Sequence, residues 1–434
     1  MDVPVSNIMI TLARRLGQNY AFVATAVVFL SLLVAAGLRA TPGVLIVPLE
    51  HAFGWSRDVI SLSAAIGIFL YGLAGPFAAA LMQRLGIRTV LVAALALMSA
   101  ASAASAFMTS PLHLVLTWGV LTGVGTGCVA VVLGAAVVNR WFVERRGLMM
   151  GLLTASAATG TLVFLPLLAA LAQHDGWRTV VCTVAAACAI LIPLALWLLP
   201  EHPADVGLRP YGAPSDAPIA RAPAPSGSLL QATFGTLARA SRDRNFWFLF
   251  GTFFICGFTT NGLVGTHFIA MCSDRGLGEV QAAGLLAAMG AFDLVGTTLS
   301  GWLTDRYDAR KLLFAYYGLR GLSLVFLPFS DFSFYSLGVF TVFYGLDWIA
   351  TVPPTLRLAN DAFGERDAPV VFGWVVAGHQ LGAACAAFFA GAMRTVQGDY
   401  FYAFIIAGAT GVVAAVLALQ VRGRSRGGAV LAGA

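Results

Sequence analysis

Twelve stretches of apolar sequence, each near or beyond the length needed to cross a bilayer, constrain this chain more than any other feature. Bounded by charged or turn-forming residues, they run over 21–48, 58–82, 89–109, 112–138, 148–172, 177–199, 245–271, 280–303, 312–329, 334–358, 370–394 and 400–421. A hydrocarbon core of about 30 Å takes roughly 20 residues of helix. None of the stretches alternates with the period of two that a membrane β-strand of about ten residues requires. Only 11% of the 434 residues are charged and 59% are hydrophobic, against about 25% charged in an ordinary soluble domain. A soluble globule could not coat its surface with so few charges, whereas a chain facing lipid needs no polar coat. These facts exclude a cytosolic enzyme, a secreted disulfide scaffold and a disordered chain, and predict an all-α membrane protein.

The basic residues then set the topology. Of the 26 Lys and Arg, only Lys311 is a lysine, and the arginines punctuate the apolar runs instead of forming one basic patch. A nucleic-acid footprint is therefore not indicated. With the N-terminus placed in the cytoplasm, twenty basic residues fall on that side, four (Arg57, Arg178, Arg275 and Arg394) fall on the other, and Arg39 and Arg320 lie within spans. The positive-inside bias thus predicts both termini in the cytoplasm and a multi-pass protein of the inner membrane. No cleaved signal peptide is expected, since Arg14 and Arg15 are not followed by a short apolar core with a small-residue cleavage site. The six cysteines contain no C-x-x-C pair and indicate neither disulfides nor zinc.

The stretch 200–244 departs from the pattern. It is polar, holds seven of the eighteen prolines, and reads as a mostly flexible linker whose end, Leu229 to Arg244, forms a short amphipathic helix on the inner leaflet. It divides the chain into an N-terminal bundle over 1–199 and a C-terminal bundle over 245–434. The halves repeat at an offset of 222. Gln83-Arg84-Leu85-Gly86-Ile87-Arg88 matches Asp305-Arg306-Tyr307-Asp308-Ala309-Arg310, Gly151 matches Gly373, and Gly160 matches Gly382. Two six-helix repeats around an axis along the membrane normal are a transporter architecture.

The loop residues of this repeat resemble the major facilitator superfamily, whose signature between the second and third spans is G-x-L-x-D-R-x-G-R-[KR]. Here Gly75-Pro76-Phe77 leads to Met82-Gln83-Arg84-Leu85-Gly86-Ile87-Arg88, with Gln83 in place of the acid, while Gly301-Trp302-Leu303-Thr304-Asp305-Arg306 keeps it. The resemblance implies twelve helices in two pseudo-symmetric bundles and a structural or gating role for Arg84, Arg88, Asp305, Arg306 and Arg310. A narrower likeness is to bacterial members of the monocarboxylate-porter and oxalate–formate group. It rests on Phe53-Gly54-Trp55-Ser56-Arg57, on Pro203-Ala204-Asp205-Val206-Gly207-Leu208-Arg209-Pro210 and on Phe292-Asp293-Leu294. That group carries a basic residue in the first span, matched by Arg39, and an acid followed four residues later by Arg in the eighth. Asp293 matches the acid, but Thr297 stands where the arginine would. The fifth span lacks the glycine pair that ends the drug-antiporter signature G-P-x-x-G-G, reading Pro166-Leu167-Leu168 instead.

Ionisable groups at mid-membrane depth are costly and mark candidate sites. Arg39, Asp293, Arg320, Asp347 and His379 are of this kind, with His267 nearer the outer end of its span. Arg39 lies among Gly37, Ala40, Pro42 and Gly43, where a guanidinium can reach a central cavity and present its donors to a carboxylate. Its alternative is an ion pair with Asp293, and the two readings can coexist as a switch. Asp293 suits a proton carrier, and Arg320, in a span usually outside the cavity, suits a structural partner of Asp347 or Asp293. Tyr344, Asp347 and Thr351 share one helix face, which is either a binding wall or the Arg320 clamp. His379, within Gly378-His379-Gln380-Leu381-Gly382, either meets substrate or packs; Thr260, Asn261 and His267 make the seventh span polar.

The expected substrate-binding set is Arg39, Asn261, His267, Tyr344 and His379, with Asp293 coupling protons. Arg320 and Asp347 are expected to be structural or gating residues. The glycines at 119, 123, 125 and 127 lack the spacing and strand of a nucleotide loop. No nucleophile–base pair, metal cluster or cofactor motif is present in the sequence. The chain is expected to be a monomeric, non-enzymatic secondary transporter in the lipid bilayer, moving a small organic anion, a mono- or dicarboxylate, with protons. The alternative is a proton-antiport exporter of amphipathic drugs or metabolites.

Overall fold

In a computed structural model of the chain, residues 7–214, 219 and 229–422 are described. Among the described residues, twelve helices are long and apolar enough to cross a membrane. In chain order they are Tyr20–Phe53, Arg57–Leu85, Ile87–Ser105, Pro111–Trp141, Arg146–Asp175, Trp177–Leu198, Arg244–Asp274, Glu279–Thr304, Ala309–Phe329, Phe334–Gly364, Asp367–Gln397 and Phe401–Ala418. Local chemistry sets their ends. Gly54, at φ 67°, stops the first span in the left-handed region that glycine tolerates. Asp243, Asp308 and Ser333 accept backbone N–H bonds at the starts of the seventh, ninth and tenth. The tenth and eleventh run into each other through a kink at Gly364, φ 77°.

Side chains without bulk let certain spans touch backbone to backbone. A methyl group at Gly257 in the seventh span would lie 1.8 Å from the carbonyl oxygen of His379 in the eleventh. One at Gly382 would lie 1.9 Å from that of Phe254. The Gly378–Gly382 pair is thus one side of a small-residue helix interface.

An even number of spans puts the N-terminal helix Asn7–Leu16, the linker and the end at Arg422 on one face, here the termini face. Asn245, opening the seventh span, exchanges hydrogen bonds with Arg422 of 2.8 and 3.2 Å. The first part of the linker is not the free chain its prolines suggest. Glu201 accepts from the backbone N–H groups of Ile87 and Arg88, 2.6 and 3.0 Å, and pairs with Arg140. A carboxylate at the N-terminus of the third span meets the positive end of the helix dipole. Tyr211 bonds Trp141 and Val143 through its backbone and packs its ring on Phe22. The later part, Leu229–Ala240, is a helix held on the C-terminal half by Trp374 Nε1 donating to Thr233 O and by Arg239–Asp367.

Two buried cores show where the halves meet. One runs through the N-terminal half and continues into the C-terminal half only at its far end, through residues such as Phe268, Leu286, Phe340 and Phe404. The other, with Phe246, Leu313, Tyr317 and Val375, lies wholly within the C-terminal half near the termini face. The shared buried core thus joins the halves on the far face, while the buried core near the termini face belongs to one half. The ion pairs Arg310–Asp308 and Arg357–Asp361 lie within the C-terminal half, while Arg140–Glu201 and Arg239–Asp367 tie the two ends of the linker to the N-terminal and C-terminal halves. Arg84 and Asp305 are exposed, Arg88 is buried, and Arg306 lies 4.0 Å over the ring of Trp302. The Arg310 guanidinium beside Asp308 holds that carboxyl below the usual carboxylate range.

Candidate functional site

A cavity of 680 Å³ lies between the halves. Its lining comes from the first, second, fourth, fifth, seventh, eighth, tenth and eleventh spans, with no lining residue from the third, sixth, ninth or twelfth. The walls are largely small or apolar, including Leu38, Ile68, Trp118, Leu165, Leu286 and Trp348, with threonines scattered among them.

Among the described residues, two charged side chains line it. Arg39, half-buried, stacks its guanidinium over the ring of Tyr71, 4.7 Å from the centroid, and has no ion pair among the described residues. Stacking occupies the face of a guanidinium and leaves its N–H edge free. Asp293, 4% exposed, accepts from the Thr297 hydroxyl at 2.9 Å and from the backbone N–H of Ile349 at 2.8 Å, both on Oδ1. The hydroxyl of Thr297 thus caps the acid at the position where the resembling group carries arginine. Asp293 also has no ion pair among the described residues, so cation and acid share one cavity without closing on each other.

The amide that Asp293 binds is free because the tenth span is broken. Helix ends at Asp347 and resumes at Val352. Pro353 and Pro354 have no N–H to give to the carbonyls of Ile349 and Ala350, four residues back. Both carbonyls find other donors. Val352 N donates to Ile349 O at 2.9 Å, and Ser300 Oγ donates to Ala350 O at 2.5 Å. Arg320, buried in the ninth span, donates to the carbonyls of Asp347 and Trp348, to the Asp347 carboxylate at 2.7 Å and to Cys256 Sγ at 3.0 Å. Of the two acids open to it, Arg320 pairs with Asp347, and the pair lies outside the cavity lining. Sequence reasoning missed Ser300 and the break itself. The proline pair after Ala350 was the signal available for it.

The remaining candidates divide. Asn261 lines the cavity, and its Nδ2 lies 3.4 Å from His379 Nε2, which places the imidazole one layer behind the wall. Tyr344 does not line the cavity; its hydroxyl donates to Thr259 O, in the wide turn at Phe258–Val264. Nor does His267. It is fully buried, with Nε2 2.8 Å from Ala387 O and Nδ1 3.2 Å from Tyr400 Oη, so both ring nitrogens already have partners. Tyr71, Trp348 and Gln380 line the cavity and were not among the expected binding residues.

A family model described as Major Facilitator Superfamily matches residues 27–366 and 273–431. Among curated proteins, the chain is 30% identical over 385 residues to monocarboxylate transporter 13 of Rattus norvegicus, covering 88% of this chain and 84% of that protein. It is 27% identical over 327 residues to the uncharacterized MFS-type transporter YcxA of Bacillus subtilis, 73% of this chain and 74% of that one. Among solved structures, it is similar to a D-xylose-proton symporter, with TM-score 0.72, 15% identity and coverage of 94% and 99%. It is also similar to a bacterial homolog of the human lysosomal transporter Spinster in an inward-facing conformation, with TM-score 0.73, 15% identity and coverage of 93% and 96%.

Proposed function

As a member of the major facilitator superfamily the chain is a membrane transporter, and we propose that it moves a small organic anion, a carboxylate, together with a proton by alternating access. One observation carries this reading. A guanidinium and a carboxylate, neither ion-paired among the described residues, line the same cavity between the two halves. The guanidinium edge of Arg39 is the binding point for the anion, with Asn261 and the threonines as further donors and the apolar walls taking the body of the molecule. Asp293 takes the proton. Charge balance ties the two, because a charge uncompensated in a low-dielectric cavity is expensive. Arg39 and Asp293 cancel in the empty cavity. A bound monoanion leaves one negative charge over, and a proton on Asp293 removes it.

In this reading the termini face is cytoplasmic, in an inner membrane, and the described conformation opens inward. The bundles over 1–199 and 245–434 rock as two bodies joined by the linker in a monomer. The monocarboxylate transporter likeness supports the choice of anion.

The test is uptake into proteoliposomes under an imposed pH gradient, with mono- and dicarboxylates compared. Arg39→Ala is expected to abolish saturable uptake. Asp293→Asn is expected to keep anion exchange and lose accumulation driven by the gradient. Accumulation that survives Asp293→Asn, or saturation that survives Arg39→Ala, overturns the assignment.

A further inference from the structure

Among the described residues, the far face is closed by a side-chain assembly built differently from the other ion pairs. Arg57, at the start of the second span, is 4% exposed and lies where the two halves meet. It crosses to the C-terminal half with Nη2 and Nη1 on the two oxygens of Asp274, 2.6 and 2.7 Å, and with Nη1 also donating to Tyr400 Oη at 3.1 Å. Around this fork the backbones come close. A methyl group at Gly391 in the eleventh span would lie 2.3 Å from Ser61 Oγ and 2.9 Å from Arg57 O. Beside it Thr395 exchanges hydrogen bonds of 3.0 and 3.2 Å with Asp58.

Each charge of the crossing pair has a second partner inside its own half. Arg57 Nε donates to Glu50 of the first span at 2.8 Å, and Arg394 Nε donates to Asp274 at 2.8 Å. Tyr400 keeps His267. Pulling the halves apart therefore strands no bare ion: Arg57 leaves with Glu50, and Asp274 stays with Arg394. An isolated buried pair could not part without desolvated charges on both sides. Arg320–Asp347 is such a pair, and both its residues belong to the C-terminal half, which has no need to separate from itself.

We propose that Arg57 is the latch of the far-face gate: its fork on Asp274 holds the cavity shut on that face, and this bond breaks and reforms in every cycle while Glu50 and Arg394 hold the separated charges. The planar two-pronged match of guanidinium and carboxylate gives the closed face one defined geometry. The latch is a property of the conformational equilibrium and does not depend on which molecule the cavity takes.

The experiment measures spin-label distances across both faces of the full chain in proteoliposomes. The exposed native thiols Cys182 and Cys385 are replaced by serine. Labels at Gln173→Cys and Val396→Cys, both exposed on the far face, report that gate. Labels at Leu85→Cys and Tyr307→Cys, exposed on the termini face, report the other. In Arg57→Gln and in Asp274→Asn the far-face distribution is expected to gain a longer population, raising the ratio of far-face-open to closed by about tenfold or more. The termini-face distribution gains a shorter one. Arg394→Gln removes the bond that holds Asp274 within its own half after separation, and is expected to add no longer population on the far face. Asp274→Asn carries the test if Arg57→Gln fails to fold, since it leaves Arg57 its Glu50 and Tyr400 partners. Unchanged far-face distances in the folded Arg57→Gln and Asp274→Asn proteins overturn the latch, as does an equal shift in Arg394→Gln.

Discussion

Replacing Arg320 by methionine tests the account of the broken span most directly. The guanidinium has four partners around the break: the Asp347 carboxylate, the carbonyls of Asp347 and Trp348, and the Cys256 thiol. Methionine keeps much of the length and none of the donors. Leaving a buried carboxylate without its cation costs about 3–5 kcal/mol. Each carbonyl left without a donor adds roughly 1–3 kcal/mol, although neighbouring losses are not additive. The total is at least about 4 kcal/mol, on the order of a 5–10 °C fall in the unfolding midpoint. The assay is thermal unfolding of the detergent-purified protein, read by light scattering and intrinsic fluorescence together.

Two companions separate the terms. Arg320→Met with Asp347→Asn removes the stranded charge but not the orphaned carbonyls, so it recovers part of the loss. Arg320→Lys keeps the charge as a point and cannot span two carbonyls and a carboxylate at once, so it falls between. Leu319→Met, exposed on the same helix, is the control and shifts the midpoint by about a degree at most. The reasoning is refuted if Arg320→Met matches that control, or if the double variant is less stable than Arg320→Met alone.

Three further outcomes follow from the same geometry. Gly257→Ala forces the seventh span off the carbonyl of His379, and is expected to cost about 1–3 kcal/mol as overpacking, seen as a lower midpoint in the same assay. Glu201→Ala uncaps the third span and takes the carboxylate from Arg140; a loss of about 1–2 kcal/mol is expected, and proteolysis within 200–214 should quicken. A chain retaining Trp348 and none of the other eight tryptophans should show emission that changes as pH falls and Asp293 gains a proton, because the adjacent Ile349 amide loses its charged acceptor. Asp293→Asn should abolish that change, and a persistent pH response in it would refute the link.

The spans, the repeat and the intramembrane charges could be read in the sequence because lipid permits only one solution for a long apolar run and penalises each stray charge. Which charges meet could not. Arg320 had two acids within plausible reach, and its choice of Asp347 depends on where the tenth helix breaks. That break follows from Pro353 and Pro354, two residues whose meaning lies in the carbonyls they fail to serve. Arg57 counted in the sequence as one of four basic residues on the sparse side. Nothing about its neighbours along the chain signals that Asp274 and Tyr400 wait for it across the interface. The linker misled for a different reason. Its prolines argue correctly against a packed core, but Glu201 and Tyr211 need no core of their own, since they dock on one that the N-terminal half has already built.

The break in the tenth span and the acid of the cavity are one construction. An intact helix spends every mid-span amide on its own carbonyls, and a buried carboxylate beside it would have only side chains to turn to. Interrupting the helix at Asp347–Val352 releases the Ile349 amide, and that amide, with Thr297, is what holds Asp293 in place without an arginine. The carbonyls released at the same time are taken by Ser300 and Arg320, so the interruption leaves these carbonyls bonded. A second cation at position 297 would tie Asp293 into a permanent pair and leave Arg39 to carry the only free charge of the cavity. With threonine there, the acid has a hydrogen bond and no fixed cation. The residues on either side of the amide it holds, Trp348 and Ala350, belong to the wall and to the Ser300 tie. A change of charge on Asp293 therefore reaches the backbone that shapes the cavity through a single hydrogen bond, with no intermediary side chain.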